Sequence, residues 1–228
     1  MAASTNNGGA VLADTEFERQ LASQYGTVIG IDEVGRGALA GPVGVGACVA
    51  GLGEPPLGLT DSKALSLKQR EHFVSLAQEW AYPWAVTYAS NREVDELGII
   101  TALRLAGIRA LENIKEAGVV ADVVLLDGSH DWLTPPQDLF SFDTAPLVER
   151  FQAVGAPPVV MKVKADASCS VVAAASVMAK VARDKLMEEL PDPGYGWAKN
   201  KGYGSAAHRE AIRSLGVSQW HRTSWKLV

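Results

Sequence analysis

Four carboxylates stand where apolar runs end. Asp32 and Glu33 close the run VIGIDE, Asp127 closes VVLLDG, and Asp166 follows VVMKVK just before an alanine-rich stretch. Ligand sites in α/β sheets form beyond strand ends, so neighbouring strands would bring these acids to one sheet edge. Each acid also has a local reading. Asp32 could accept turn amides, Asp127 could open an Asp-Gly turn, and Asp166 could sit near a helix N-terminus. Taken together they point further. Clustered carboxylates repel one another and lose hydration, so such a cluster persists only where cations compensate it. An oxygen-only donor set, without His or Cys, selects Mg²⁺ or Mn²⁺ over zinc.

Directly after the first two acids comes GRGALAG, residues 35–41. Its G-x-G-x-x-x-G spacing is one residue longer than the dinucleotide fingerprint. Pro42 and a second apolar run follow where a helix should begin, so the dinucleotide reading fails on spacing and context. Glycines here let a ligand approach bare backbone, whose amides can hold anionic or hydroxyl oxygens. A simple tight turn is the alternative, and the adjoining Asp32 and Glu33 argue for the ligand.

The elements that must position these residues are legible. Thr15/Glu18, Ser66/Gln69 and Ser90/Glu93 each have the spacing of a capping box. Helices are expected near 15–24, 67–80, 91–96, 99–116, 170–189 and 206–215, the last stopping at Gly216. β-Branched runs predict strands over 27–34, 41–50, 84–90, 121–128 and 157–164. The first two form an antiparallel hairpin with a wide connection. Hairpins early and βα crossovers later imply an α/β fold with a mixed sheet and helices on both faces. Residues 129–156 contain TPPQ and GAPP and read as a long loop with room for a short helix.

The chain of 228 residues is 47% hydrophobic and 21% charged, enough for one large domain with ample core. No apolar run is long enough to cross a membrane. MAASTNNGGA lacks a basic region followed by an apolar stretch, so it reads as a short disordered tail rather than a secretory signal. Cys48 and Cys169, far apart among small apolar residues, suit buried thiols in a reducing compartment. A cytoplasmic protein is expected. Net charge is −5, yet residues 160–228 hold 11 Lys and Arg against 6 Asp and Glu. A basic surface beside an acidic remainder suggests an anionic partner, although a solvated tail explains the count almost as well.

GIDEVGRGALAGPV, LTDSKALS, VLLDG, KADASCSVVAAASVMAKVARD and NKGYGSAAHREAI follow in that order. With their spacing the chain resembles bacterial ribonuclease HII over about residues 28–226. The resemblance implies a ribonuclease H-like mixed five-stranded sheet flanked by helices. Residues 1–26 would be a tail and first helix, 27–190 the catalytic domain and 191–228 a C-terminal helical extension packed on it. It implies hydrolysis of the RNA strand in RNA/DNA hybrids and cutting of duplex DNA 5′ to embedded ribonucleotides, leaving 5′-phosphate and 3′-hydroxyl ends. Ribonucleotide removal in repair and replication would be the setting. Asp32, Glu33, Asp127 and Asp166 would be the catalytic acids that bind two Mg²⁺ or Mn²⁺ ions. Gly35, Arg36 and Gly37 would present the backbone that recognises the 2′-hydroxyl. Tyr203 would lie against the sugar after the ribonucleotide, and Lys63 would contact backbone phosphate.

Physical chemistry agrees with these roles. Two hydrated cations can activate water, polarise the phosphoryl oxygen and stabilise a departing 3′-oxygen. No side-chain nucleophile is evident, since Ser62, Ser176 and Cys169 lack a His partner. Only the 2′-hydroxyl separates RNA from DNA at one nucleotide, so its reader must approach closely. Among Lys180, Arg183, Lys185, Lys199, Lys201, Arg209, Arg222 and Lys226, some are expected to contact phosphate. Trp220 and Trp225 are expected to pack the tail, and His208 to serve a surface or capping role. TSWKLV shows no sliding-clamp-binding peptide, and nothing demands more than a monomer. The alternatives are another metal-dependent nuclease of the same superfamily and a phosphate- or nucleotide-binding module without hydrolysis.

Overall fold

The computed structural model describes residues 13–136 and 145–228, so the tail expected over residues 1–10 lies outside the described residues. In chain order the described elements are α1 (Glu16–Tyr25), β1 (Val28–Val34), β2 (Val43–Val49) and a 3₁₀ turn (Ser62–Ala64). Then come α2 (Leu67–Trp80), β3 (Trp84–Ala89), α3 (Asn91–Leu97), α4 (Ile99–Glu116), β4 (Val123–Asp127) and α5 (Ala145–Ala153). β5 (Val159–Lys162), α6 (Ala165–Ser168), α7 (Ser170–Glu189), α8 (Trp197–Asn200) and α9 (Ala206–Leu215) complete the set.

The strands form one mixed sheet in the order β3-β2-β1-β4-β5. β1 runs antiparallel to β2, and β2 to β3, whereas β4 is parallel to both β1 and β5. Side chains alternate across β1. Ile29 and Ile31 enter the core shared with α4, and Val28 enters the core shared with α7. Two glycines bring α7 unusually close to the second face. A Cβ at Gly30 would lie 2.7 Å from the Val171 backbone, and one at Gly46 would lie 2.3 Å from the Ala175 carbonyl oxygen. Neither contact is physically possible, so these glycines are what allow a helix to sit against bare strand backbone.

Local chemistry explains most boundaries. Ser66 and Ser90 each form the expected reciprocal capping box. Thr15 does not, since its side chain makes no capping bond. The Asp14 carboxylate accepts from the Glu16 amide instead, at 2.9 Å, and Glu18 turns inward to accept from the Val171 amide at 2.9 Å. The expected 129–156 loop contains α5, whose Leu147 and Phe151 are buried against the α4 core. Residues 137–144 of that segment lie outside the described residues. The short α6 and α8, four residues each, carry too little periodicity to register in the sequence.

A third core joins Leu39 and Ala40 to Met187, Tyr195, Trp197, Ile212 and Leu227, with Trp220 and Trp225 packed against it. Both tryptophans thus pack the tail, as expected. The chain beyond α9 returns to the glycine loop, where the Gly41 amide donates to the Trp220 carbonyl and the Arg222 amide to Leu39. Both cysteines are buried and unpaired with each other. Among the described residues no helix is long and apolar enough to cross a membrane.

Candidate active site at the sheet edge

The parallel pairing of β1 with β4 decides where the acids fall. Ile31 pairs with Leu126, so the next residues, Asp32 and Asp127, are neighbours at the ends of their strands. Asp127 then gathers the third acid. Its Oδ1 accepts from the Ala165 amide at 2.7 Å and from the Asp166 amide at 3.4 Å, which holds the start of α6 and Asp166 beside it. Lys164 makes this turn in the left-handed conformation, φ +59°. Glu33 stands on the other side of β1 and reaches Arg36 at 3.4 Å.

Cations are scarce around this cluster. The Lys63 ammonium lies 3.5 Å from Asp166 and 3.8 Å from Asp61, the residue that caps its own 3₁₀ turn. Asp32 is buried and accepts a hydrogen bond from the Glu33 amide at 2.8 Å, while the nearby Ser176 hydroxyl donates to Ser62 at 3.1 Å. Burial first, then Glu33, Asp127 and Asp166, push its carboxyl well above the usual range, against the opposing effect of the neighbouring Ser176 hydroxyl. Burial and Asp127 raise Asp166 to about 6. A buried carboxylate among three others is chemically suited to a cation.

The donor set consists of oxygens, which fits Mg²⁺ or Mn²⁺. Among the described residues no group of three or more His, Cys, Asp or Glu side chains is placed to hold a metal ion. Mg²⁺ in particular is commonly bound through only one or two carboxylates, with water and substrate phosphate completing its shell.

A cleft of about 430 Å³ opens over Asp32 and Glu33. Gly35, Arg36, Gly37, Lys63 and Tyr203 also line it, as do Ser176 and Lys180. Seven of the nine expected site residues thus share one cleft, and Asp127 and Asp166 adjoin it through Asp32 and Lys63. The glycine loop and the Tyr203 loop are joined by backbone. Ala38 bridges Tyr203, and the Leu39 amide donates to the Gly202 carbonyl at 2.8 Å. The Tyr203 ring remains 37% exposed at the cleft, 5.6 Å from the Arg183 guanidinium and 5.9 Å from the Lys180 ammonium.

Comparison with known proteins gives the family. The family model described as Ribonuclease HII matches residues 29–228. The chain belongs to the ribonuclease HII family. It is an endoribonuclease acting on RNA in RNA/DNA hybrids. Ribonuclease HII of Streptomyces coelicolor is 44% identical over 212 residues, covering 91% of this chain and 81% of that protein. The solved PCNA:RNase HII complex of Archaeoglobus fulgidus matches with TM-score 0.64 at 25% identity, covering 89% of this chain and 96% of that one. Bst-RNase HIII in complex with Mn²⁺ shares the fold, with TM-score 0.59 at 21% identity over 88% and 67% of the two chains.

Three of the basic residues read from the sequence are buried in this ribonuclease, which narrows the set expected to reach phosphate and takes His208 off the surface. Arg183 and Arg222 are fully buried and cannot meet phosphate. Arg183 donates to the carbonyls of Pro42, Ala40 and Lys201, and Arg222 to those of Gly35, Arg36 and Gly41. His208 is likewise buried, not superficial, with Nε2 3.1 Å from His221 Nε2. Lys180 stays at the cleft and pairs with Asp184 at 2.7 Å. Spacing to a glycine loop gave no signal for these arginines, because their partners are carbonyls distant in sequence.

Proposed function

We propose that this nuclease cuts the phosphodiester bond 5′ to a ribonucleotide, in hybrids and at single ribonucleotides embedded in duplex DNA, leaving 5′-phosphate and 3′-hydroxyl ends. Asp32, Glu33, Asp127 and Asp166 would hold two Mg²⁺ or Mn²⁺ ions. Bound there, such ions supply an activated water and charge stabilisation at the phosphoryl and leaving oxygens. The adjacency of Asp32 and Glu33 to the open backbone of Gly35–Gly37, in one cleft, carries this reading. It places charge chemistry within a few residues of a surface able to approach a 2′-hydroxyl.

The chain's own groups divide the remaining work. Asp127 orients the start of α6 through two amide bonds and so sets the position of Asp166. Lys63, exposed beside the acids, offers a positive charge to a neighbouring phosphate. Tyr203 presents a ring edge or face to the sugar beyond the ribonucleotide, supported beneath by Arg183. Residues 27–190 would form the catalytic unit, 1–26 a tail and first helix, and 191–228 an extension that completes the cleft. A cytoplasmic monomer acting on hybrids and ribonucleotide-containing duplexes, in ribonucleotide removal during repair and replication, fits this reading.

A labelled DNA duplex with one ribonucleotide tests it, in Mg²⁺ and then Mn²⁺, beside an all-DNA duplex and the Asp127→Asn variant. The expected result is one metal-dependent nick 5′ to the ribonucleotide, absent from both controls. Cutting of both duplexes would refute sugar recognition while keeping the metal site. Binding without cutting in either metal would favour a non-hydrolytic module.

A further inference from the structure

Two guanidiniums lie buried beneath the cleft, and neither forms an ion pair among the described residues. Burying a charge without a counter-ion is costly unless hydrogen bonds replace its hydration. Arg222 makes those bonds to backbone alone. Its Nη2 donates to the Gly35 carbonyl at 2.8 Å and to Gly41 at 3.1 Å, its Nη1 to the Arg36 carbonyl at 2.8 Å, and its Nε to Gly41 at 3.2 Å. The Trp225 ring packs 4.9 Å from the guanidinium. Burial and nearby Arg183 lower the Arg222 side chain to about 9, which leaves it charged at neutral pH.

The geometry of the peptide bond turns this contact into a statement about the opposite face. Both peptides concerned are trans. In a trans peptide the N–H points away from the C=O of the same unit. With the Gly35 and Arg36 carbonyls drawn down onto buried Arg222, the Arg36 and Gly37 amides face up toward the cleft. Neither amide donates to a protein acceptor among the described residues. Two successive free amides above a buried cation make a pocket for an oxygen.

We infer that Arg222 is a positioning residue for sugar recognition: it sets the Gly35–Arg36 and Arg36–Gly37 peptides so that their amides meet the ribonucleotide. This rests on the proposed role of the glycine loop. The same tail segment also fixes the opposing wall. The Ser218 amide donates to His221 Nδ1 at 3.0 Å, so the His221 proton sits on Nε2 and is donated to His208 Nε2. His208 Nδ1 in turn donates to the Tyr203 carbonyl at 2.9 Å. Residues 218–222 therefore hold both walls of the cleft, and the C-terminal segment belongs to the recognition apparatus.

The test measures equilibrium binding of a one-ribonucleotide duplex and an all-DNA duplex in EDTA, where no bond is cut. Wild type is compared with Arg222→Met, Arg222→Lys and Gly37→Ala, each checked by thermal melting. Arg222→Lys keeps the charge but reaches fewer carbonyls, so it provides a folded variant if Arg222→Met does not fold. Losing the charge-assisted bonds that hold the peptides should reduce the ribonucleotide-to-DNA affinity ratio about tenfold, with all-DNA affinity little changed. A general loss of structure would lower both affinities together. If Gly37→Ala collapses the ratio while folded Arg222 variants keep it, the role of Arg222 is overturned and the glycine-loop reading stands. If wild type shows no preference, or Gly37→Ala leaves it intact, the loop reading fails and this inference falls with it.

Discussion

Gly35 and Gly37 flank the same arginine, yet the structure requires them for different reasons, and alanine at each should separate stability from recognition. Gly35 has φ +76°, and a Cβ there would lie 2.1 Å from Arg183 Nε. That nitrogen is buried and donates to the Pro42 carbonyl at 2.8 Å, while the rest of the guanidinium is tied to Ala40 and Lys201. Gly35→Ala therefore costs about 1–2 kcal/mol for the left-handed backbone, and about 1.5–3 kcal/mol for the displaced charged bond. Together these predict a loss of roughly 3–5 kcal/mol, or a Tm lower by roughly 10 °C for a chain of this size. A Cβ at Gly37 meets nothing within 4 Å, and its φ lies outside the left-handed range. Gly37→Ala should leave stability within about 1 kcal/mol of wild type, while the added methyl stands over the amide proposed to meet the sugar. Urea unfolding of both variants, paired with binding and cleavage of the one-ribonucleotide duplex, measures the contrast. Equal destabilisation by the two substitutions, or a stable Gly35→Ala, would refute this reasoning.

Burial pushes the Glu18 carboxyl up to about 7, against the Val171 amide bond that lowers it. A raised acid pKa favours the native state below the unfolded value and weakens it as pH rises to about 7, by about 3 kcal/mol in all. Glu18→Gln should therefore gain about 3 kcal/mol on wild type between pH 4.5 and pH 8 in urea melts, and a pH-independent difference would count against it. Burial, then His208, lowers His221 to about 4. The unfolded state takes up that proton first, so stability present above pH 6.5 falls by up to about 3 kcal/mol as pH drops to 4. His221→Asn should flatten this part of the acid limb, and an unchanged limb would reject the cause. Lys63→Met should weaken duplex binding and reduce the salt dependence by about one phosphate contact; an unaltered slope of log affinity against log salt would remove Lys63 from the interface.

The sheet and the four acids were legible because both follow from local patterns. Apolar runs gave the strands, the Ser66-to-Gln69 and Ser90-to-Glu93 spacings gave the starts of α2 and α3, and Asp32 and Asp127 stood at strand ends that parallel pairing then aligned. Thr15 misled for a physical reason. Its capping partner Glu18 has a stronger claim elsewhere, since the Val171 amide at the start of α7 needs an acceptor in the core. The 129–156 segment was read as a loop with room for a short helix, and α5 lies within it, between the two proline-rich stretches. The burial of Arg183, Arg222 and His208 left no mark in the sequence. A basic residue in a polar segment is ordinarily exposed, and only the fold shows the loop carbonyls that compete with water for these groups.

Those buried groups explain how chemistry and recognition stay in register. Ser176, Lys180 and Arg183 lie four and three residues apart on α7, along one stripe of the helix. Ser176 lines the cleft beside Asp32, Lys180 faces it, and Arg183 supports both the glycine loop and Tyr203. Seven residues of helix span about 10 Å, a distance that cannot stretch without breaking backbone bonds. Gly30 and Gly46 press that helix directly onto β1 and β2, the first of which carries Asp32. A loop alone would let the reader drift relative to the acids. Anchored through α7, the surface proposed to inspect the sugar is held at a fixed span from the carboxylates proposed to act on the bond.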